Sequence, residues 1–188
     1  MRIVSGSAKG RVLAAPLSDD VIRPTADRVR ETIFNVLGQR CDGLTVLDLF
    51  AGTGALGLEA ASRGAVKVVL VDRGREALAL CRANTDALKF TDRVEIIAAD
   101  AISTIKSLGL KKRVFELVFA DPPYKHQAGV ALLEALLAAK IVSPEGVAVI
   151  ETGDDEVLPE KVGAFERIDQ REMGATIVSI FRLTVEEP

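Results

Sequence analysis

The stretch Thr45-Val46-Leu47-Asp48-Leu49-Phe50-Ala51-Gly52-Thr53-Gly54 decides how this chain folds. Residues 45–50 are almost continuously apolar, as in a strand covered on both faces. Glycines at 52 and 54 then break the run, and Ala55–Ser62 has the composition of a short helix. A buried strand, a glycine turn and a helix make one unit of a parallel sheet.

The chain alternates in the same way further on. Val66–Val71 is a second strand, apolar except for Lys67. Glu76–Leu88 reads as a helix with Ala77, Leu80, Cys81, Asn84 and Leu88 on one side. Val94–Ala98 is a third strand, followed by a helix through Ile102, Ile105 and Leu108. Val114–Ala120 is a fourth strand, Gln127–Ala139 a helix carrying Val130, Leu133 and Leu137, and Gly146–Glu151 a fifth strand. Strands without alternation, separated by helices, predict a doubly wound α/β sheet. After Gly153 the pattern changes. Ala164–Glu172 and Thr176–Leu183 are joined through Met173-Gly174-Ala175 with no helix between, which predicts a C-terminal antiparallel hairpin. The expected architecture is a mostly parallel sheet of seven strands.

Upstream, Ile3-Val4 and Val12-Leu13-Ala14 flank Ser5-Gly6-Ser7-Ala8-Lys9-Gly10, whose glycines allow turns. Residues 1–22 are therefore expected to form a small β-hairpin arm, exposed and basic, with residues 23–188 as the main domain. Arg23-Pro24-Thr25 opens a helix. Thr25 suits its N-cap, Ala26, Val29, Ile33, Val36 and Leu37 follow at helical spacing, and Gly38 stops it.

At 188 residues the chain is long enough for one well-buried core. No apolar run approaches the roughly 20 residues of a membrane span, and the N-terminus has no signal-peptide core. Cys41 and Cys81 have no paired spacing and are expected to be free thiols in a reducing cytoplasm. A single histidine, His126, makes a zinc site unexpected. The net charge of −3 is unevenly spread. Residues 1–40 hold seven Lys/Arg (Arg2, Lys9, Arg11, Arg23, Arg28, Arg30, Arg40) against four acids, leaving the rest acidic. A basic end on an acidic body is a footprint for a polyanion, or simply a solvated charged surface.

Ligands of open parallel sheets bind beyond the carboxyl ends of the strands. Four successive strand ends here carry an acid: Asp48, Asp72, Asp100 (followed by Ala101) and Asp121. Gly52, Gly54 and Gly57 also have the G-x-G-x-x-G spacing, with Asp72 placed as a ribose-binding acid. Three readings compete: a tight strand-to-helix turn, a dinucleotide site, and a site for S-adenosylmethionine. Asp48 opposes the second, because a diphosphate at this helix N-terminus would meet another negative charge. S-adenosylmethionine has an ammonium and a sulfonium and no phosphate, so an acidic mouth suits it. On this reading Asp72 accepts from the ribose hydroxyls and Asp100 from the adenine amine.

The fourth strand ends in Asp121-Pro122-Pro123-Tyr124. The prolines end the ladder and hold the chain extended. A carboxylate, a carbonyl freed from the sheet and one aromatic ring suit a flat group bearing an N–H₂. The plain alternative is a proline-rich turn with Tyr124 packed on the surface. If the first and fourth strands are neighbours, their ends lie about 5 Å apart, so a methyl donor at Gly52–Gly54 would face an amine held at Asp121. Acceptors on the amine protons localise its lone pair for attack.

The chain resembles the bacterial 16S ribosomal RNA guanine-N2 methyltransferases, a family with the Rossmann-like methyltransferase fold. The resemblance rests on Met1-Arg2-Ile3-Val4-Ser5-Gly6, Lys9-Gly10-Arg11, Arg23-Pro24-Thr25, Asp27-Arg28-Val29-Arg30-Glu31, Phe34-Asn35, Leu47–Ala60 and Asp121-Pro122-Pro123-Tyr124. It departs at Asp72, where the family commonly has Glu, and at Met173-Gly174-Ala175-Thr176, where a Tyr-Gly pair is common. The resemblance implies methyl transfer from S-adenosylmethionine to a guanine N2 amine of 16S RNA, within a small-subunit assembly particle, by a monomer without a metal. It implies catalytic roles for Asp121, Pro122, Pro123 and Tyr124. It places the cofactor among Thr25, Arg28, Phe34, Asn35, Asp48, Phe50, Gly52, Thr53, Gly54, Asp72, Asp100, Ala101 and Asp121, and RNA on Arg2, Lys9, Arg11 and Arg23. The rivals are an adenine or cytosine amino-methyltransferase acting on DNA or another RNA, and a non-catalytic RNA-binding module. The DNA enzymes usually carry a separate DNA-recognition domain, for which 188 residues leave little room; the binding module predicts broken motifs, and none is broken here.

Overall fold

The computed structural model describes residues 1–16, 24–122 and 128–184, and the side chains of residues 24–26 fall outside the description. Arg23, Pro123 and Tyr124, and the side chain of Thr25, therefore lie outside the described residues.

Helix α1 (Pro24–Val36) precedes β1 (Thr45–Leu49), α2 (Ala55–Ser62), β2 (Lys67–Asp72), α3 (Arg75–Leu88) and β3 (Val94–Ala98). Then come α4 (Ala101–Leu110), β4 (Phe115–Ala120), α5 (Ala128–Ala139), β5 (Val142–Gly153), β6 (Lys161–Val162), β7 (Phe165–Met173) and β8 (Thr176–Leu183). The strands form one sheet in the order β3-β2-β1-β4-β5-β8-β7-β6. The first five are parallel, and β8 runs antiparallel to β5. The order reverses between β1 and β4, the point at which an open sheet splays its crossover loops apart and leaves a crevice.

The core has two layers because each central strand is apolar on both faces. Val46, Val68, Leu70, Leu117, Phe119 and Val149 pack toward α1, α2, α3 and the N-terminal segment. Leu47, Leu49, Val69, Val71, Val118 and Ile150 pack toward α4 and α5. Val118 and Val149, for example, are fully or almost fully buried. Burying such side chains stabilises the fold by about 1.5–3 kcal/mol each.

Among the described residues the sheet has eight strands rather than seven. Lys161–Val162 pairs with Phe165–Glu166 through a tight turn at Gly163, whose φ is +56°. Two residues are too few to display a period of two. β5 also begins earlier than Gly146. Val142 pairs with Phe115, the register then shifts, and Val147 pairs with Leu117. The register shift falls at Ser143-Pro144-Glu145-Gly146, where Glu145 adopts a φ of +61°.

At the N-terminus, Arg2 and Val12 form an antiparallel bridge, and the Ile3 N–H donates to the Arg11 carbonyl at 2.9 Å. Ile3 and Leu13 are buried in the core, while Arg2, Lys9 and Arg11 are exposed. The segment is fastened to α2. Glu59 accepts from the Val4 and Ser5 N–H groups at 2.8 and 2.9 Å, and the Ser62 hydroxyl accepts from the Ala8 N–H at 2.9 Å.

Candidate functional site

A concave pocket lies at the carboxyl rim where β1, β4 and β5 end under α1. It is lined by Met1, Val29, Arg30, Asp48, Phe50, Ala51, Gly52, Thr53, Ala55, Leu56, Asp121, Glu151 and Thr176 and has a volume of about 310 Å³. That is the lower end of the range for small-molecule sites.

The glycine loop is held from beneath. Asp72 accepts from the Gly52 N–H at 2.9 Å and from the Gly74 N–H at 2.8 Å. The Cys81 thiol donates to the Gly52 carbonyl at 3.3 Å, and the Asn84 amide donates to the Thr53 carbonyl at 2.9 Å. Burial pushes the Cys81 thiol up to about 12, so it stays a neutral strut. The three glycines have different jobs. A Cβ on Gly57 would meet Leu70 at 2.4 Å, so its role is to let α2 close on the sheet. A Cβ on Gly54 would touch Leu70 at 3.0 Å. Gly52, with φ +56°, has nothing within 4 Å of that position and is the glycine a ligand can approach. Phe50 beside it also holds a positive φ, of 60°, unusual for a bulky residue and typical of functional rims.

Asp48 explains why this loop is no phosphate site. Its carboxyl is buried and accepts from the Gly57 N–H in the first turn of α2 at 2.8 Å. The helix N-terminus thus already has a carboxyl acceptor supplied by the protein itself, where a phosphate would otherwise sit.

Asp48, Asp121 and Glu151 converge on the pocket. Asp48 pairs with Phe119 in the β1–β4 ladder, and Phe119 pairs with Val149 in the β4–β5 ladder. Side chains two residues apart share a face, so Asp121 and Glu151 follow Phe119 and Val149 onto the side that bears Asp48. Asp121 and Glu151 keep accessible surface, but that surface opens into the pocket. Burial, followed by the Asp121 and Asp72 charges, pushes Asp48 up to about 7. Burial pushes Asp121 up to about 6. Burial, followed by the Asp121 and Asp48 charges, pushes Glu151 up to about 8, with Arg30 opposing. Three carboxyls short of compensating charge form a cavity suited to a cation. The residues present therefore fit S-adenosylmethionine, whose ammonium and sulfonium are both cationic, and they fit a diphosphate badly.

Five of the expected cofactor residues, Asp48, Phe50, Gly52, Thr53 and Asp121, line the pocket. Gly54 sits just below it as the N-cap of α2, and Asp72 reaches it through Gly52. Asp100 is exposed and caps α4 by accepting from the Ser103 N–H at 3.1 Å. Ala101 packs with α4 against the opposite sheet face. Phe34 is fully buried, 5.7 Å from the Phe119 ring and under the Arg63 guanidinium, so its ring has no free surface for a ligand. Asn35 is exposed and accepts a hydrogen bond from Gln39. Arg28 lines a separate cleft with Arg2 and Lys9. Arg11 donates to the Ala87 carbonyl at 2.7 Å. Pro122 is buried at the end of β4.

Met1, Arg30, Glu151 and Thr176 join the pocket without having been assigned to it from the sequence, although all but Glu151 stand in the stretches quoted for the resemblance or its departures. Glu151 carried a usable signal, since it is the acid at the end of the fifth strand. Arg30 stands at a buried position of α1 between Val29 and Ile33, where a cation signals a partner. Among the described residues, no group of three or more His, Cys, Asp or Glu is arranged to hold a metal ion, and no helix is long and apolar enough to cross a membrane.

The family model described as "Conserved hypothetical protein 95" matches residues 1–182. The chain is 37% identical over 182 residues to "Putative rRNA methyltransferase YlbH" of Bacillus subtilis, covering 97% of this chain and 98% of that protein. It is 32% identical over 159 residues to "Ribosomal RNA small subunit methyltransferase D" of Haemophilus influenzae, covering 84% and 81%. Among solved structures, "Putative methyltransferase yhhF from Escherichia coli" superimposes with a TM-score of 0.86 at 29% identity, covering 99% of both chains.

Proposed function

Because this chain belongs to the family described as conserved hypothetical protein 95, the family of ribosomal RNA small subunit methyltransferase D, we propose that it methylates the exocyclic N2 amine of a guanine in 16S ribosomal RNA. The observation that carries this reading is the convergence of the glycine loop and Asp121 on one acidic pocket at the switch between β1 and β4.

S-adenosylmethionine, when bound, supplies an electrophilic methyl group. The chain's own residues do the rest. Gly52 lets the backbone approach the donor, Asp72 fixes that loop and offers its remaining lone pairs to ribose hydroxyls, and Asp48 and Glu151 favour positive charge. Asp121 and the Pro122 carbonyl accept from the amine's protons. Those bonds localise the lone pair on nitrogen and stabilise positive charge as it develops there, and Asp121 takes the proton released. Holding the reactants in line supplies much of the remaining acceleration. A base in paired RNA must be unstacked to reach the pocket. Tyr124 is assigned to stacking on it.

The cleft of Arg2, Lys9 and Arg28 is assigned to RNA phosphates. Reversing Lys9 and Arg28 together to Glu lowers RNA affinity and its dependence on salt; an unchanged salt slope puts the RNA elsewhere. The enzyme acts as a cytoplasmic monomer on RNA in a small-subunit assembly particle. The test is incubation of the purified protein with 16S RNA or small-subunit particles and labelled S-adenosylmethionine, followed by nucleoside analysis. N2-methylguanosine supports the reading. Label in N6-methyladenosine or N4-methylcytidine favours the rival amino-methyltransferase.

A further inference from the structure

We propose that Glu151 selects the base: its carboxyl accepts the ring N1–H of guanine, next to the amine held by Asp121. The proposal rests on the methyltransferase reading above and names the residue that sets its specificity.

The geometry begins with the ladder. Ala120 of β4 pairs with Ile150 of β5 in parallel register. Asp121 and Glu151 are the next residues on each strand, so their backbones are about 4.8 Å apart. Both line the same pocket and share its face with Asp48. Two acceptors are thus set side by side on the rim.

The chemistry of the bases gives that pair its meaning. Guanine presents two neighbouring donors on one edge, the N2 amine and the ring N1–H. In adenine and cytosine the ring nitrogen beside the amine is a bare acceptor. An amine clamp flanked by a second acceptor therefore matches guanine alone. A site built to receive an N–H discriminates strongly against a base that lacks it, because the site's own polar group is left unpaired.

Among the described residues, the charged groups acting on Glu151 are Asp121 just beyond β4, Asp48 on β1 and Arg30 on α1. The two acids and burial push its carboxyl up to about 8, and Arg30 pulls the other way. Guanine N1–H can donate to either protonation state, since a neutral carboxyl retains its carbonyl oxygen. A bare ring nitrogen is tolerated only by the neutral form, which has an O–H to offer. Discrimination should therefore grow as pH rises through this range.

The test uses the enzyme and two synthetic fragments of 16S RNA covering the methylated position, each assembled with small-subunit proteins into a particle. One carries guanine there. The other carries 2-aminopurine, which keeps the amine but has a bare N1. For the wild type we expect kcat/KM to favour guanine by about a hundred-fold or more at pH 8.5, and by less at pH 6.5. In Glu151→Gln, whose amide can both donate and accept, the preference falls below about ten-fold and no longer varies with pH. A variant preference equal to the wild type's, or a wild-type preference flat with pH, overturns the role of Glu151 while leaving the methyltransferase reading intact. Wild-type enzyme that methylates neither fragment overturns both. The wild-type pH profile keeps the test decisive even if the variant folds poorly.

Discussion

Glu59 and Glu151 lie on the same side of the sheet, and the fold treats them in opposite ways. Glu59 is fully buried and fully answered. It accepts from two backbone N–H groups and pairs with Arg63 at 2.8 Å and Arg30 at 3.5 Å. Glu151 shares its surroundings with two other carboxyls, with Arg30 opposing them. One acid joins the N-terminal segment, α1 and α2 into a rigid wall. The other leaves a deficit of positive charge in the pocket beside that wall. Stability and function thus use the same side chain, and the difference is whether the protein supplies the partner or leaves it to a ligand. Arg30 bears on both, pairing with Glu59 and opposing by its charge the rise at Glu151, and it also donates to the Arg2 carbonyl at 2.6 Å and to Asp27 at 2.7 Å.

The contrast breaks most severely at Glu59. Glu59→Ala strands the buried Arg63 without its anion, leaves Arg30 with Asp27 alone of its two, and should lower stability by about 3–5 kcal/mol, read as a large drop in melting temperature. An unchanged melt would mean the network is decorative. Asp121→Ala should instead leave the melt near the wild type's and reduce methyl transfer on the order of 10²–10³-fold or more, with cofactor affinity within a few-fold. Equal loss of both would place Asp121 in cofactor binding rather than on the amine.

Asp72→Ala comes next. It should weaken S-adenosylmethionine binding by about 1–3 kcal/mol, because it removes an acceptor and frees Gly52 at once. Calorimetry that matches the wild type would reject that role. The smallest effect is a pH trend. Asp48, Asp121 and Glu151 hold protons more tightly than the ordinary value near 4. Their contribution to stability is therefore complete below about pH 4 and is lost as pH rises through 6 to 8. The free protein should melt lower at pH 8 than at pH 6, and saturating S-adenosylmethionine should narrow the gap. A gap that widens with the cofactor would contradict a cation-seeking pocket.

The sheet was legible because apolar runs such as Val68–Val71 have no alternation and are punctuated by glycines. β6 was not, since Lys161–Val162 is too short to carry a pattern. Asp48 and Gly52 were legible because strand-end chemistry follows the chain. Glu59 was hidden in an apolar helix, and its meaning lies in Val4, Ser5 and Arg30, distant in sequence. Gly57 illustrates the opposite error of emphasis: its spacing fits a ligand fingerprint, yet its contacts are with Leu70 and Val68.

Mass spectrometry of 16S RNA nucleosides from cells lacking this protein tests the account most directly. One N2-methylguanosine per 16S molecule should disappear and return with the wild-type chain, but not with Asp121→Ala. An unchanged N2-methylguanosine content in the deletion would contradict the account.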